Sequence, residues 1–375
     1  MLSLLNRQNT GVRPQHGDRE EVVFPVDMPL LTAILMLLAL SLVVIYSASG
    51  ENTALLLRQL VRIVFALVLM LLFCRLSPLT LKRWSPIVYG VGLALLFMVL
   101  AYGIVGKGAQ RWIDIGFFRF QPSEIMKLAV PMMMAWVITQ PNLPSRFPYL
   151  TVCVGIILLP VVLVVMQPDL GTAILIASTG IVVIFFAGIS WKLIVAVAAG
   201  LSAAAPLLWY FVLLPYQQRR ILTLFDPWID PLGAGYHTIQ SVIAIGSGGI
   251  TGKGWLAGTQ SQLEFIPERS TDFIFAVYAE EFGLVGVLVL LGLYLFLVFR
   301  GLMIAMYTHD AYSRLLAGAL SVTFFFYVFV NIGMVVGILP VVGVPLPLVS
   351  YGGTSMVTLM IGFGMLMCIQ NNKRP

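Results

Sequence analysis

Only 10% of the residues in this chain are charged, yet Glu264, Glu268, Arg269, Asp272, Glu280 and Glu281 crowd into residues 260–281, QSQLEFIPERSTDFIFAVYAEE, which runs into a long apolar segment. A carboxylate at the mouth of a membrane helix costs free energy unless something there uses it. Asp272 stands at that mouth. A helix amino terminus favours an anion by up to about 2 kcal/mol, while partial burial strips water from the carboxylate. An ionised but poorly solvated carboxylate is what a general base requires. The plainer reading is a helix-capping aspartate, with Ser270 or Thr271 as alternative caps after the break at Pro267. Glu268 and Arg269 beside it weigh toward chemistry. Glu280 and Glu281, two turns deeper, either line a cavity or meet a basic residue from another helix.

A second constellation lies in GKGAQRWIDIGFFRFQPSEIMK, residues 106–127. Pro122 sits where a helix can begin, with Ser123 and Glu124 in its first turn. Glu124 and Lys127 are three apart, so they share a helix face and can pair inside the membrane, either to stabilise the helix or to serve function. Ser123 could also touch Lys127, but the spacing is not the Ser-x-x-Lys of acyl enzymes, and a serine nucleophile is rejected. Asp169, in the turn QPDLGT, is a turn or cap residue or faces the same cavity. Arg58 and Arg62, four apart, either snorkel to headgroups or meet a ligand. The run GSGGITGKG lacks the Ser or Thr and the glycine spacing of a phosphate loop, so its glycines are read as turn residues. PLPLVSYGGTS, residues 345–355, predicts a broken helix start lining a cavity.

The elements that must position these residues are membrane helices. The chain is 59% apolar with a mean hydropathy of +0.97, against about 45–50% apolar and roughly a quarter charged in a soluble globule. The predicted class is an all-α polytopic membrane protein of about ten spans, near 28–48, 55–74, 85–105, 124–139, 147–166, 170–189, 192–214, 272–299, 314–339 and 346–369. The first run is longer than a signal peptide's apolar core and is read as an uncleaved span. The fourth is short and holds Lys127, so it should line a cavity rather than face lipid. The net charge of +6 comes from basic residues at the ends of apolar runs, which is a topological pattern and argues against nucleic acid. With both termini cytoplasmic, twelve Lys and Arg fall inside and seven outside. Those seven outward residues suggest an anionic ligand on that face. Residues 1–26 and 371–375 read as cytoplasmic tails around one membrane unit, 27–370. Its long outer loops are 105–123 and 215–271, the latter holding an amphipathic segment, 233–250, that lies at the interface or re-enters the bilayer. Cys74, Cys153 and Cys368 fall in apolar runs and read as buried thiols, and neither they nor His16, His237 and His309 form a metal motif.

Several stretches together resemble the SEDS family of polytopic cell-wall proteins (shape, elongation, division, sporulation). The carriers are KGAQRWIDIG at 107–116, FQPSEIMK at 120–127, QPDLGT at 167–172, DPLGAGYH at 230–237, GSGGITGKGW at 246–255, QSQLEFIPERSTDFIFAVYAEE at 260–281 and GILPVVGVPLPLVSYGG at 337–353. The chain is most similar to the elongation-type member. The division-type paralogue typically has an alanine where Arg269 stands and a lysine near Gln262. The resemblance implies a ten-span glycosyltransferase that polymerises lipid II on the outer face of the cytoplasmic membrane, paired with a class B penicillin-binding transpeptidase and other elongation-complex membrane proteins. The family's essential aspartate falls on Asp272, its intramembrane pair on Glu124 and Lys127, its basic loop residues on Arg111 and Arg119, and an acidic position on Asp169. Ser270 stands where many relatives have histidine. The candidate site is then Asp272 as base, Glu124 and Lys127 in support, and Arg111, Arg119, Gln121, Ser123, Asp169, Glu268 and Arg269 as substrate contacts. No cofactor is assigned, and assistance by a divalent cation, Mg or Mn, stays open. One inverting displacement needs a base and positive charge on the leaving diphosphate, not a pair of glycosidase carboxylates. The alternatives are a flippase for lipid-linked precursors, a division-type paralogue, and a scaffold that only recruits the transpeptidase.

Overall fold

The apolar runs form helices because a backbone in lipid must satisfy its own hydrogen bonds. The structure, a computed structural model, describes residues 26–106, 109–114, 119–140, 146–188, 191–211, 215–233, 235–263, 265–266 and 268–372. Seven helices come first: α1 (Met28–Ala48), α2 (Thr53–Cys74), α3 (Pro78–Tyr102), α4 (Pro122–Ile138), α5 (Arg146–Met166), α6 (Leu170–Phe186) and α7 (Trp191–Phe211). Three shorter ones follow, α8 (Pro215–Phe225), α9 (Tyr236–Gly248) and α10 (Thr259–Gln262), and then α11 (Ile274–Met306), α12 (Ala311–Val336) and α13 (Thr354–Asn371). Among the described residues α1, α2, α3, α11, α12 and α13 are long and apolar enough to cross a bilayer, and α4 to α7 fill the remaining predicted spans. The polytopic all-helical class therefore holds. The one addition is an antiparallel ribbon between α3 and α4, ordered β1 (Ile104–Gly106), β2 (Ala109–Asp114), β3 (Arg119–Phe120).

Short polar side chains set the helix starts. Asp27, Asn52, Ser77, Asp169 and Asp310 each accept the backbone amide three residues on, at 2.9–3.2 Å. Such a cap is worth about 1 kcal/mol. α12 ends at Gly337, whose φ of 84° is the left-handed C-cap conformation.

α4 and α12 form the centre. Seventeen of the 26 residues of α12 are buried, and so are twelve of the 17 in α4, including Glu124 and Lys127, so this short charged helix is enclosed by protein as predicted. α2 is peripheral: its buried residues Gln59, Ile63, Ala66, Met70 and Cys74 form one stripe, which packs on α13. Gly364 permits that contact, since a Cβ there would stand 2.5 Å from the Met70 carbonyl. The three cysteines are buried as thiols.

Three boundaries differ from expectation. α13 starts at Thr354, eight residues after the predicted 346, because Pro345, Pro347 and the Gly352–Gly353 pair keep the approach irregular. Asp272 does not open α11, which begins at Ile274 with Phe273 at the cap position. Of the predicted segment, only Tyr236–Gly248 forms α9, which packs on α11 and α12 and keeps Val242 and Ile243 exposed.

α11 is broken near its start. Gly283 has φ 63° and ψ −164°, and a Cβ there would meet the Gly252 nitrogen at 2.3 Å. The break frees backbone groups that the loop after α9 then satisfies. Leu284 and Val285 donate to the carbonyls of Gly249 and Ile250, and Lys253 and Gly254 donate to those of Glu280 and Glu281. The glycines that imitate a phosphate loop thus plug a helix break: Gly249, Gly252 and Gly254 all have positive φ.

Candidate functional site

Residues 268–272 form tight turns, Glu268 at φ 52°, and the carbonyls of Ser270, Thr271 and Asp272 are each tied to a distant segment. Tyr351 donates its amide to the Ser270 carbonyl at 2.9 Å. Ser350 donates its hydroxyl to the Thr271 carbonyl at 2.6 Å. Asn331, fully buried on α12, donates to the carbonyls of Asp272 (2.9 Å) and Val344 (2.7 Å). The Asp272 carboxylate is partly buried and lies against Gly343, where an added Cβ would stand 3.4 Å from Oδ2. Neither Ser270 nor Thr271 caps α11: their hydroxyls donate to Ala48 O and to Glu268. At Phe273, which holds the cap position, no side-chain capping bond forms. Asp272 stands one residue before that cap position, and its carboxylate lies beside Gly343.

In the second constellation, Pro122 starts α4 and Glu124 stands in its first turn, as predicted. Lys127 Nζ bonds Glu124 Oε1 at 2.7 Å, with both residues under 5% exposed, and lies 4.5 Å from the centre of the Tyr327 ring. The predicted touch between Ser123 and Lys127 is absent: Ser123 Oγ is buried without a hydrogen-bond partner. A cavity of about 30 Å³ beside Lys127, Thr323 and Tyr327 has room for roughly one or two waters.

Asp169 does two things at once. It caps α6 through Thr172, and its Oδ2 accepts from Gln121 at 3.0 Å while Arg111 Nε stands 3.7 Å away. Arg111 also donates to the Pro168 carbonyl. Gln121, Asp169 and Arg111 thus form one cluster above α4 and α6. The side chain of Arg119 lies outside the described residues, as do Glu264, Pro267 and the basic residues of 1–25.

The clusters converge through 342–343. A Cβ on Gly171, two residues into α6 beyond Asp169, would stand 2.9 Å from the Val342 carbonyl, and the next residue, Gly343, abuts Asp272. On α12, Tyr327 under Lys127 and Asn331 beneath Asp272 are four apart, so one helix face serves both groups.

Among the described residues of 260–281, Arg269, Glu280 and Glu281 have structural partners. Glu280 is fully buried and accepts from Lys253 Nζ (2.7 Å), Gln260 N (2.9 Å) and Ser261 N (3.2 Å), so it fixes the amino end of α10. Glu281 accepts from Ser47 at the end of α1. Arg269 donates to the Ser261 carbonyl and packs by Gly50, tying α10 to the turn that carries Asp272. Arg58 is exposed, whereas Arg62 stacks on Tyr351 at 4.3 Å, the residue whose amide bonds the Ser270 carbonyl. Sequence reading missed Asn331, Tyr327, Tyr351 and Gly343. Asn331 alone left a signal, as a lone amide in an apolar span. Among the described residues no group of three or more His, Cys, Asp and Glu side chains is placed to hold a metal ion.

The arrangement sets a carboxylate in the turn before α11 and a cluster of Arg111, Gln121 and Asp169 above α4 and α6. Residues 25–375 match the family model of cell cycle proteins named for FtsW, RodA and SpoVE. The chain is 51% identical to the peptidoglycan glycosyltransferase MrdB of Escherichia coli over 93% of its length and 94% of the relative's. A chain in a structure of a peptidoglycan synthase complex superposes with a TM-score of 0.81 at 35% identity, covering 93% of this chain and 98% of that one. The rod shape determining protein RodA of Thermus thermophilus gives 0.72 at 30% identity, covering 94% and 99%.

Proposed function

Since this chain belongs to the FtsW, RodA and SpoVE family of cell cycle proteins, we propose that it is a peptidoglycan glycosyltransferase of the elongation type. It polymerises lipid II into β-1,4 glycan at the outer face of the cytoplasmic membrane, with both termini cytoplasmic. The observation that carries the mechanism is the turn of Asp272, whose carbonyls at Ser270, Thr271 and Asp272 are each tied to another segment while the carboxylate lies beside Gly343. Asp272 takes the proton of the acceptor 4-hydroxyl as that oxygen attacks the anomeric carbon. The bond from that carbon to the diphosphate oxygen breaks, its electron pair leaves with undecaprenyl diphosphate, and the α-linkage becomes β. A diphosphate leaves without protonation, so it needs positive charge rather than an acid. Arg111 and Arg119, with Lys127 and Arg269, supply it, while Gln121, Ser123, Asp169 and Glu268 line the approach. Glu124 holds Lys127 in place. A class B penicillin-binding transpeptidase is the partner, a reading supported by the synthase complex that contains the similar chain.

The division-type reading is weaker, given the identity to MrdB. The test is a polymerisation assay with purified protein and lipid II, with and without the transpeptidase. Asp272→Ala should bind lipid II and make no glycan. Glycan from that variant would remove Asp272 from the mechanism, and transbilayer movement of lipid II by the wild type without product would favour the flippase reading.

A further inference from the structure

One face of α12 carries polar side chains into the apolar bundle. Thr323, Tyr327 and Asn331 are spaced by four, so they follow one another along the helix from the cavity beside Lys127 to the turn of Asp272. All three are buried. Each holds a polar atom with no hydrogen-bond partner among the described residues: Thr323 Oγ1, the Tyr327 hydroxyl and Asn331 Oδ1. On α4, which packs on α12, Ser123 Oγ and Glu124 Oε2 are in the same condition. The Tyr327 hydroxyl faces the Glu124 carboxylate without meeting hydrogen-bond geometry. An unmet buried polar atom is costly and folded interiors hold few of them, so five on two packed helices call for a ligand.

Charge and space narrow its chemistry. Glu124 and Lys127 already neutralise each other, so an ion of either sign would add an unpaired charge inside the bundle. The ligand is then neutral, and it must both donate and accept. The cavity of about 30 Å³ is lined by Lys127, Thr323, Tyr327 and Thr358, which are the kind and number of partners a buried water takes. Lys127 has three N–H donors and gives one to Glu124 at 2.7 Å.

We propose that one or two waters bound by the hydroxyls of Thr323 and Tyr327 hydrate the Lys127 ammonium and are a working part of the site, which makes Thr323 and Tyr327 positioning residues. The proposal rests on the glycosyltransferase reading, in which Lys127 supplies charge to a departing diphosphate. An ammonium held by a carboxylate alone is fixed against it. A water partner lets Lys127 turn an N–H toward an anion while Glu124 keeps a donor of its own.

The test is hydroxyl-radical footprinting by X-ray radiolysis on the full chain in nanodiscs, which labels a buried side chain only where a bound water lies against it. Tyr327 is 2% exposed and should be labelled. Gly362 also lines the cavity, and a Cβ there would stand 3.5 Å from Leu128 and 3.8 Å from Leu320, ordinary contacts, so Gly362→Ala fills the space without a clash. That variant should lose the label, and so should Thr323→Val, while Thr323→Ser keeps it. Where the label is lost, kcat should fall by roughly tenfold, what one hydrogen bond is worth, with KM for lipid II near wild type. Thermal unfolding gives an independent sign: Thr323→Val should lower the midpoint if the hydroxyl is hydrated and raise it if the hydroxyl is unmet. No label on Tyr327, a label that persists in Gly362→Ala, or a raised midpoint would overturn the water site. Unchanged kcat in both label-free variants would overturn its role. Asp272→Ala should be labelled as wild type is. Labelled wild type that makes no glycan would thus count against the enzyme reading alone, and unlabelled wild type that makes glycan against this site alone.

Discussion

At the scale of single residues, the site depends on carboxylates held without freedom to relax. Asp272 owes its position to Asn331, which ties its carbonyl to that of Val344. Asn331→Leu removes both bonds inside a buried site. We expect a loss of about 1–3 kcal/mol in stability and a fall in turnover well beyond what that loss explains. Thermal unfolding in detergent beside the glycan assay separates the two effects, and unchanged turnover would show that synthesis does not depend on the Asn331 tie. Glu124 and Lys127 obey a different rule. Removing one partner of a buried pair strands the other, so Glu124→Gln or Lys127→Met should each destabilise by about 3–5 kcal/mol. The double change Glu124→Gln/Lys127→Gln should recover stability but not glycan synthesis. Recovery of synthesis as well would make the pair a purely structural clamp. Both pairs of groups were readable as chemistry in the sequence, because a charge in a chain with 10% charged residues stands out. Their partners were not, since Asn331 lies 59 residues from Asp272 and Tyr327 lies 200 from Lys127.

The element that most affects the site is α11 with its break at Gly283. The loop after α9 completes the broken backbone, and Glu280 fixes α10 from the same turn of helix. Gly283→Ala places a methyl among backbone atoms at 2.3–2.8 Å in a left-handed conformation. That variant should lose several-fold in activity and become sensitive to proteolysis in the loop of 249–262, as limited digestion would reveal. Digestion identical to wild type would mean that the loop does not depend on the break. Glu280→Gln should have a milder effect of the same kind, because it keeps the acceptor oxygen but weakens the bond to Lys253. Apolar runs located the membrane-length helices of the described residues, yet the glycines of 246–254 were read only as turns. Their conformations are set by a helix break in another element, which local pattern does not contain.

Across the whole molecule, another ion pair clasps the far end of the bundle. Arg300 on α11 meets Asp27, the cap of α1, with Nη2 to Oδ2 at 2.6 Å and Nε at 3.2 Å from both carboxylate oxygens. The opposite end of α1 touches the Asp272 turn, since Ser270 donates to Ala48. The 21 residues of α1 separate these ends by roughly 30 Å. Asp27→Asn should therefore lower thermal stability by about 1–3 kcal/mol and leave glycan synthesis at saturating lipid II near wild type. A rate as low as that of Asp272→Ala would show that the bundle transmits strain between its ends.

Class and span count, and the choice of Asp272 as the candidate carboxylate, follow from composition and pattern, because lipid allows only helices and tolerates few charges. Which charges face one another depends on how each helix is rotated and paired. That rotation comes from packing among distant segments: α4 and α12 buried at the centre, residues 339–353 kept irregular by proline and glycine, and Gly343 close enough to meet Asp272. Only the assembled bundle therefore separates Asp272, which faces the site, from Glu280, which fixes a loop, although both stand in the same crowded stretch.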